Sequence, residues 1–192
     1  MKSSDMPSKL TKAFSMALKI ETLTRDHNRA AFDCGNNELN RYLRNTERQH
    51  IKKGISRTFV LVEDSNTTDI LGFFTLASCE ILVEKLPRKY AKKYPARAPA
   101  AKLARLAVKK NLQRKGLGAQ MMVNAIERIL RVSEHLGIIG FFVDAKNDKA
   151  RTFYEQFGFI PLPDNPLELF LPLATLSRAL KFEIWKFGVG PR

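Results

Sequence analysis

The chain has 192 residues, 44% of them hydrophobic, and its 33 lysines and arginines against 19 aspartates and glutamates leave a formal charge of +14. This length fits one domain with a sizeable core. No apolar run nears the roughly 20 residues that cross a bilayer, no secretory cleavage pattern follows Lys2, Lys9 and Lys12, and Cys34 and Cys79 are too few for a disulfide framework and lack metal-ligand spacing. The expectation is a cytosolic protein with reduced thiols, no metal and no membrane segment. A pI of 10.0 speaks to partners rather than fold, and leaves phosphate-rich ligands, nucleic acid and an acidic protein all open.

Residues 1 to 17 are polar and aperiodic and read as a flexible leader. Ala17 to Leu23 reads as a first strand. A helix is expected from about Asn36, started by Gly35 and Asn36, with Leu39, Tyr42 and Leu43 on one face. Thr58 to Val62 and Ile70 to Ala77 form the arms of a hairpin across the turn-rich stretch Asp64 to Asp69. Residues 84 to 99 read as an irregular connection, because Pro87, Pro95 and Pro99 discourage regular structure. Leu103 to Val108 is the next strand. From Gly116 to His135 the residues Leu117, Met121, Ala125 and Ile129 mark one face of a long helix, which Gly137 is expected to end as a left-handed cap. Ile138 to Val143 is a buried-strand candidate. A shorter helix, Asp148 to Phe157, has Asn147 and Gly158 as its caps, and a last strand includes Leu167 to Leu171. This order predicts a mixed α/β domain over 18 to 175 and a C-terminal extension over 176 to 192.

Strand, basic turn, glycine pair and long helix together can bind phosphate. The first helical turn leaves backbone N–H groups without acceptors, and the helix dipole adds partial positive charge there. Gly116 and Gly118 remove side chains that would keep an anion away, while Lys109, Lys110, Arg114 and Lys115 add charge. An ordinary glycine turn reads the same way. The loop is neither G-x-x-x-x-G-K-S/T nor G-x-G-x-x-G, so a nucleotide site of either kind is excluded.

Arg105-Leu106-Ala107-Val108 followed by Gln113-Arg114-Lys115-Gly116-Leu117-Gly118 resembles motif A of the GNAT family of N-acetyltransferases, Q/R-x-x-G-x-G/A after the fourth strand. Ala150-x-x-Phe153-Tyr154-Glu155-x-x-Gly158-Phe159 is similar to that family's motif B. Phe32 to Gly35, Leu39, Tyr42-Leu43, Ser56 to Val60 and Leu71 to Leu76 extend the likeness to a subfamily, the acetyltransferase toxins of bacterial toxin–antitoxin pairs. The resemblance spans roughly residues 18 to 175. It departs at Arg114 and Ala104, where many members of that subfamily carry glycine.

The resemblance implies a GNAT fold, an α/β fold whose mixed central sheet has splayed fourth and fifth strands flanked by helices. It implies acetyl-CoA as co-substrate, with Leu106, Ala107, Val108, Gln113, Arg114, Lys115, Gly116, Leu117, Gly118, Ala119, Asn147, Ala150 and Phe153 binding it. In the family the amine attacks the thioester directly, and a backbone N–H near Leu106 to Val108 steadies the oxyanion. Tyr154 matches the tyrosine beside the leaving sulfur. A phenol near pKa 10 against a thiol near 8.5 makes full proton transfer uphill by about 2 kcal/mol. Tyr154 is therefore read as a hydrogen-bond donor, with transfer only if basic surroundings lower its pKa; a core tyrosine is the alternative. His27, His50 and His135 fall outside the motifs and read as surface residues. The lack of an obvious base suits an α-amine, whose pKa of about 7.7 to 8.0 is lowered further by the attached ester, so that a substantial fraction is neutral. A lysine amine, at about 10.4, would need a base much more.

Between residues 84 and 115 twelve lysines and arginines stand against Glu84 alone. Lys89, Lys92, Lys93, Arg97 and Arg105 are the candidates for a tRNA contact, with Tyr90 and Tyr94 available to stack on bases or to pack beneath the loop. The subfamily implies aminoacyl-tRNA as acceptor, a ribbon-helix-helix antitoxin as partner and a homodimer. A small amine or a protein N-terminus is the alternative acceptor, and a non-enzymatic nucleic-acid-binding module the alternative to an enzyme.

Overall fold

The computed structural model describes residues 17–176. The expected leader and the expected C-terminal extension lie outside these residues, apart from Ala17 and Leu176. Seven strands form one sheet in the order β1-β2-β3-β4-β5-β7-β6. They are β1 (Leu18–Thr22), β2 (Ser56–Glu63), β3 (Gly72–Leu82), β4 (Arg97–Val108), β5 (Gly140–Asp144), β6 (Ile160–Pro161) and β7 (Glu168–Pro172). Every neighbouring pair is antiparallel except β4 and β5, which are parallel. The mixed α/β expectation holds.

The two sheet faces are covered by different helices. One face carries α4 (Leu117–Ser133) and α5 (Asp148–Glu155). Met121, Met122, Ala125 and Ile126 are fully buried there beside Leu61, Phe74, Phe141 and Leu169. Burying each such side chain contributes about 1.5–3 kcal/mol. The other face carries α1 (Asn37–Arg41), a π turn (Tyr42–Thr46) and α2 (Glu47–Lys52), laid over Val60, Val62, Phe73 and Ala107. Asn36 starts α1 as expected, its Oδ1 accepting from the Glu38 and Leu39 amides at 3.0 and 3.2 Å. The π turn aims the Tyr42 ring onto Phe73, centroid to centroid at 6.4 Å.

Several expectations change. The connection 84–99 is largely regular: a 3-10 turn (Val83–Lys85), α3 (Arg88–Ala91) and the first residues of β4 occupy it. Pro87 sits just before α3, where a helix tolerates proline. Pro99 sits within β4, and its carbonyl accepts from Ile139 on the β5 side. In an extended residue the N–H and C=O point the same way, so the missing N–H costs the β3–β4 ladder nothing. Gly137 is not a left-handed cap, since the left-handed glycines are Gly35, Gly54, Gly116 and Gly158, and α4 ends at Ser133 with Glu134 still in right-handed geometry. His27 is not a surface residue: it is 5% exposed, its Nδ1 accepts from the Thr24 amide at 3.0 Å and its Nε2 lies 3.1 Å from Glu21.

Strand β4 positions the site. It pairs with β5 only at Ala101, Lys102 and Leu103, opposite Phe141, Phe142 and Val143. On its other edge the register slips between Thr75 opposite Arg105 and Leu76 opposite Leu103, which leaves Ala104 without a partner. A bulge bends its strand and sharpens the twist. Past Leu103, β4 therefore swings away from β5, the splay expected of a GNAT sheet.

Candidate active site

The opening between the two strands is a cleft of about 370 Å³. Its β4 wall is Leu103 to Leu106, its β5 wall Val143 and Asp144, and Asn147, Ala150 and Tyr154 close it from α5. Asn36, Glu38 and Leu39 approach from the start of α1. On the β5 side of residues 104–108 the backbone has no strand neighbour, so its N–H groups there remain available.

At the head of α4 the backbone leaves room for a ligand. Gly116 has φ +82, and a Cβ placed on it would meet nothing within 4 Å. No side chain caps the helix, so the first-turn amides of Leu117, Gly118 and Ala119 have no acceptor. A Cβ on Gly118 would lie 3.8 Å from the Phe153 ring and 3.9 Å from Val108, which ties this end of the loop to the cleft walls. Arg114 has φ +62, the one left-handed non-glycine among the described residues. The glycine of the resembling sequences at this position thus has a conformational reason, and an arginine there costs roughly 1–2 kcal/mol. Arg114 and Lys115 are exposed beside the free amides. Lys109 adds no net charge, because Asp69 grips its Nζ at 2.8 and 2.9 Å.

Not every predicted residue presents its side chain to the cleft. Ala107 points to the opposite face, into the cluster under α1, so only its backbone can serve the site. The Gln113 amide group donates to the carbonyls of Cys34 and Val108 at 2.9 and 3.1 Å. Gln113 therefore latches the α1 approach to the end of β4. Asn147 caps α5 by accepting from the Ala150 amide at 3.0 Å, and it also lines the cleft.

Tyr154 is 9% exposed and shares ring contacts with Phe153 and Phe159 at 5.3 and 5.9 Å. Burial, with the Asp144 carboxylate adding to it, pushes its hydroxyl up to about 12. The condition set for full transfer, a pKa lowered by basic surroundings, is therefore not met. Transfer of its proton to a thiolate becomes uphill by about 5 kcal/mol, while its capacity to donate a hydrogen bond is unimpaired.

The proposed tRNA set divides. Arg105 lies in the cleft, its guanidinium 5.1 Å above the Tyr42 ring and donating to the Ala104 carbonyl. Arg97 starts β4, roughly 26 Å from Arg105 along the strand, and Lys89, Lys92 and Lys93 stand exposed on α3 and just after it. Arg97 pairs with Glu80 at 2.7 Å, and Lys89 rests over the Tyr90 ring at 4.8 Å. Tyr90 packs beneath, edge-on to Phe170 at 5.7 Å.

Sequence reasoning missed two carboxylates of the cleft, Glu38 and Asp144. Asp144 is held by Lys102 at 2.6 Å, whereas Glu38 has no ion-pair partner among the described residues. Their signal was available: Glu38 follows a capping asparagine, and Asp144 ends a buried parallel strand, where open sheets place their ligands. Among the described residues no group of histidines, cysteines and carboxylates could hold a metal, and no helix is long and apolar enough to cross a membrane.

Comparison with known proteins bears on the same elements. The chain is 34% identical over 150 residues to a tRNA-acetylating toxin of Mycobacterium tuberculosis, covering 78% of this chain and 88% of that protein. It is 29% identical over 159 residues to a probable toxin TacT of Sinorhizobium fredii, covering 78% and 87%. Among solved structures it resembles AtaT complexed with acetyl-methionyl-tRNAfMet, with a TM-score of 0.78 and 34% identity over 84% of this chain and 98% of that one. AtaT has also been solved as AtaTR bound with AcCoA and with the C-terminus of the antitoxin AtaR. The model of the acetyltransferase (GNAT) domain matches residues 54–161. That stretch runs from just before β2 to the end of β6, taking in both strands of the cleft and the helix that carries Tyr154, and the chain belongs to the GNAT acetyltransferase family.

Proposed function

We propose that this N-acetyltransferase moves an acetyl group from acetyl-CoA to the α-amine of aminoacyl-tRNA, blocks translation by doing so, and is held in check by a ribbon-helix-helix antitoxin. The likeness over most of the chain to tRNA-acetylating toxins carries the reading, and the exposed basic face around α3 supports it. A homodimer acting in the cytoplasm fits the same relatives.

Acetyl-CoA supplies the acetyl group as an activated thioester. The pyrophosphate is received by the first-turn amides of α4, Leu117 to Ala119, with Gly116 giving access and Arg114 and Lys115 adding charge. Leu106, Val108, Asn147, Ala150 and Phe153 surround the remainder of the co-substrate, and Ala107 and Gln113 contribute through their backbones. Unpaired N–H groups on the open side of β4 are donors for the thioester carbonyl oxygen, preorganised because the strand is held by β3 alone. Tyr154 donates to the leaving sulfur and keeps its own proton. The thiol draws its proton from the acetylated amine through solvent. Arg105 borders the cleft as a fixed cation that disfavours a protonated acceptor amine beside it. Lys89, Lys92, Lys93 and Arg97 meet acceptor phosphates farther along the chain.

The test is transfer from labelled acetyl-CoA to a mixture of charged tRNAs, with the uncharged mixture as control. Label confined to the charged pool, and lost when the aminoacyl ester is hydrolysed, is the expected result. Label on small amines or protein N-termini without any dependence on tRNA overturns the acceptor assignment.

A further inference from the structure

A second and larger cleft lies elsewhere on the α4 face. This groove of about 480 Å³ is bounded by Ala100 and Ala101 of β4, by Ile129 and Val132 of α4, and by Ile138. It shares no residue with the cleft between β4 and β5. The large apolar side chains left exposed among the described residues are Ile55, Val132 and Leu136, at 49%, 43% and 57%, and all three line it. A contiguous apolar patch of this kind marks a surface that something covers.

The chain itself points to the occupant. After β7 the Leu173 amide donates to the Ile139 carbonyl at 3.1 Å, and Leu176 is fully buried in the core cluster that also contains Ile129 and Ile138. The described chain therefore ends on the groove's face of the sheet, beside residues that line it. Sixteen residues follow, and within 180–189 stand Leu180, Phe182, Ile184, Trp185, Phe187 and Val189, with Glu183 the only acid. The six residues that follow Leu176, up to Phe182, can span up to about 20 Å. Arg128 and Arg131 stand on the groove's α4 wall and offer Glu183 opposite charge.

We propose that residues 180–189 of the same chain dock in this groove and cover Ile55, Val132 and Leu136. The segment completes the core of its own protomer at the paired end of β4 and β5, away from the acetyl-transfer cleft.

Trp185 is the chain's sole tryptophan, so its fluorescence reports on the segment alone. In the full-length protein Trp185 should emit at short wavelength and resist quenching by acrylamide. Leu136→Glu and Ile55→Lys place charge at positions already half exposed. Each should shift the emission to the red and raise quenching severalfold, with an unchanged far-UV circular dichroism spectrum. Val132→Asn gives the same readout without a charge, should either of the others disturb the fold. A Trp185 open to quencher in the unaltered protein overturns the proposal, and so does one that stays shielded in all folded groove variants. Shielding that disappears as the protein is diluted to monomers assigns the groove to a second copy's segment and overturns it equally.

Discussion

Strands β4 and β5 lie side by side for three residues and then part, and the two halves of this seam do opposite work. In the paired half, Ala101 to Leu103 face Phe141 to Val143, the side chains of Ala101, Leu103, Phe141, Phe142 and Val143 are buried, and Gly140 lies so close to β7 that a Cβ would come within 2.5 Å of the Leu171 carbonyl. In the open half, Ala104 has no partner, the backbone faces a cleft, and the flanking loop holds left-handed residues at Arg114 and Gly116, with open space beside Gly116. Packing in one half holds the other open. Catalytic preorganisation of this kind rests on a rigid neighbour rather than on strain within the site itself.

Four substitutions separate the halves. Tyr154→Phe strikes the open half and should have the largest effect, a fall in kcat of about 10²–10³-fold, as for other lost transition-state donors. Acetyl-CoA binding by calorimetry should be unchanged, and unchanged turnover would break the assignment. The hydroxyl is pushed up to about 12 from its ordinary value near 10. Its neutral form is therefore favoured, and the stability it contributes is full below pH 10 and lost only as pH rises through about 12. The rate profile should accordingly show no Tyr154 ionisation below about pH 11.

Gly140→Ala strikes the paired half. The new methyl would lie 2.3 Å from the Phe170 ring and 2.5 Å from backbone, so unfolding free energy should fall by about 2–3 kcal/mol in urea titration. Gly116→Val meets no atom within 4 Å but imposes left-handed strain of about 1–2 kcal/mol. The amides of α4 turn away to relieve it, and acetyl-CoA should bind about tenfold more weakly. The smallest effect is that of Asn147→Ala, which removes the cap of α5 and should cost about 1 kcal/mol of stability, with kcat down only a few-fold because α5 keeps its packed face.

Much of the open half was legible in sequence because it depends on local chemistry. Glycines at a helix head, the capping asparagines Asn36 and Asn147, and the period of α4 each act over a few residues. The bulge was not legible: Ala104 has no feature that marks an unpaired residue, and its role exists only once Thr75 and Leu76 of β3 take their register. His27 was misjudged because its partners come from two places, Glu21 on β1 and Thr24 just after it, and its burial depends on how the chain folds back beside that strand. Pro99 was misjudged because its tolerance rests on which strand edge it faces. The rise of the Tyr154 pKa follows from burial among Phe153 and Phe159 beside Asp144, an enclosure that exists only once α5 packs against the end of β5. Arg105 was grouped with the basic loop by proximity in sequence, and an extended strand carries it some 26 Å from that loop, at about 3.3 Å per residue.

The claim that the open half receives acetyl-CoA is tested most directly by titrating the isotopically labelled full-length protein with acetyl-CoA and following its backbone amides by NMR. The amides of Ala104 to Val108 and of Gly116 to Ala119 should shift most, while those of Ile55, Val132 and Leu136 should stay in place. Large shifts at the groove, with the amides at the head of α4 unmoved, would contradict the account.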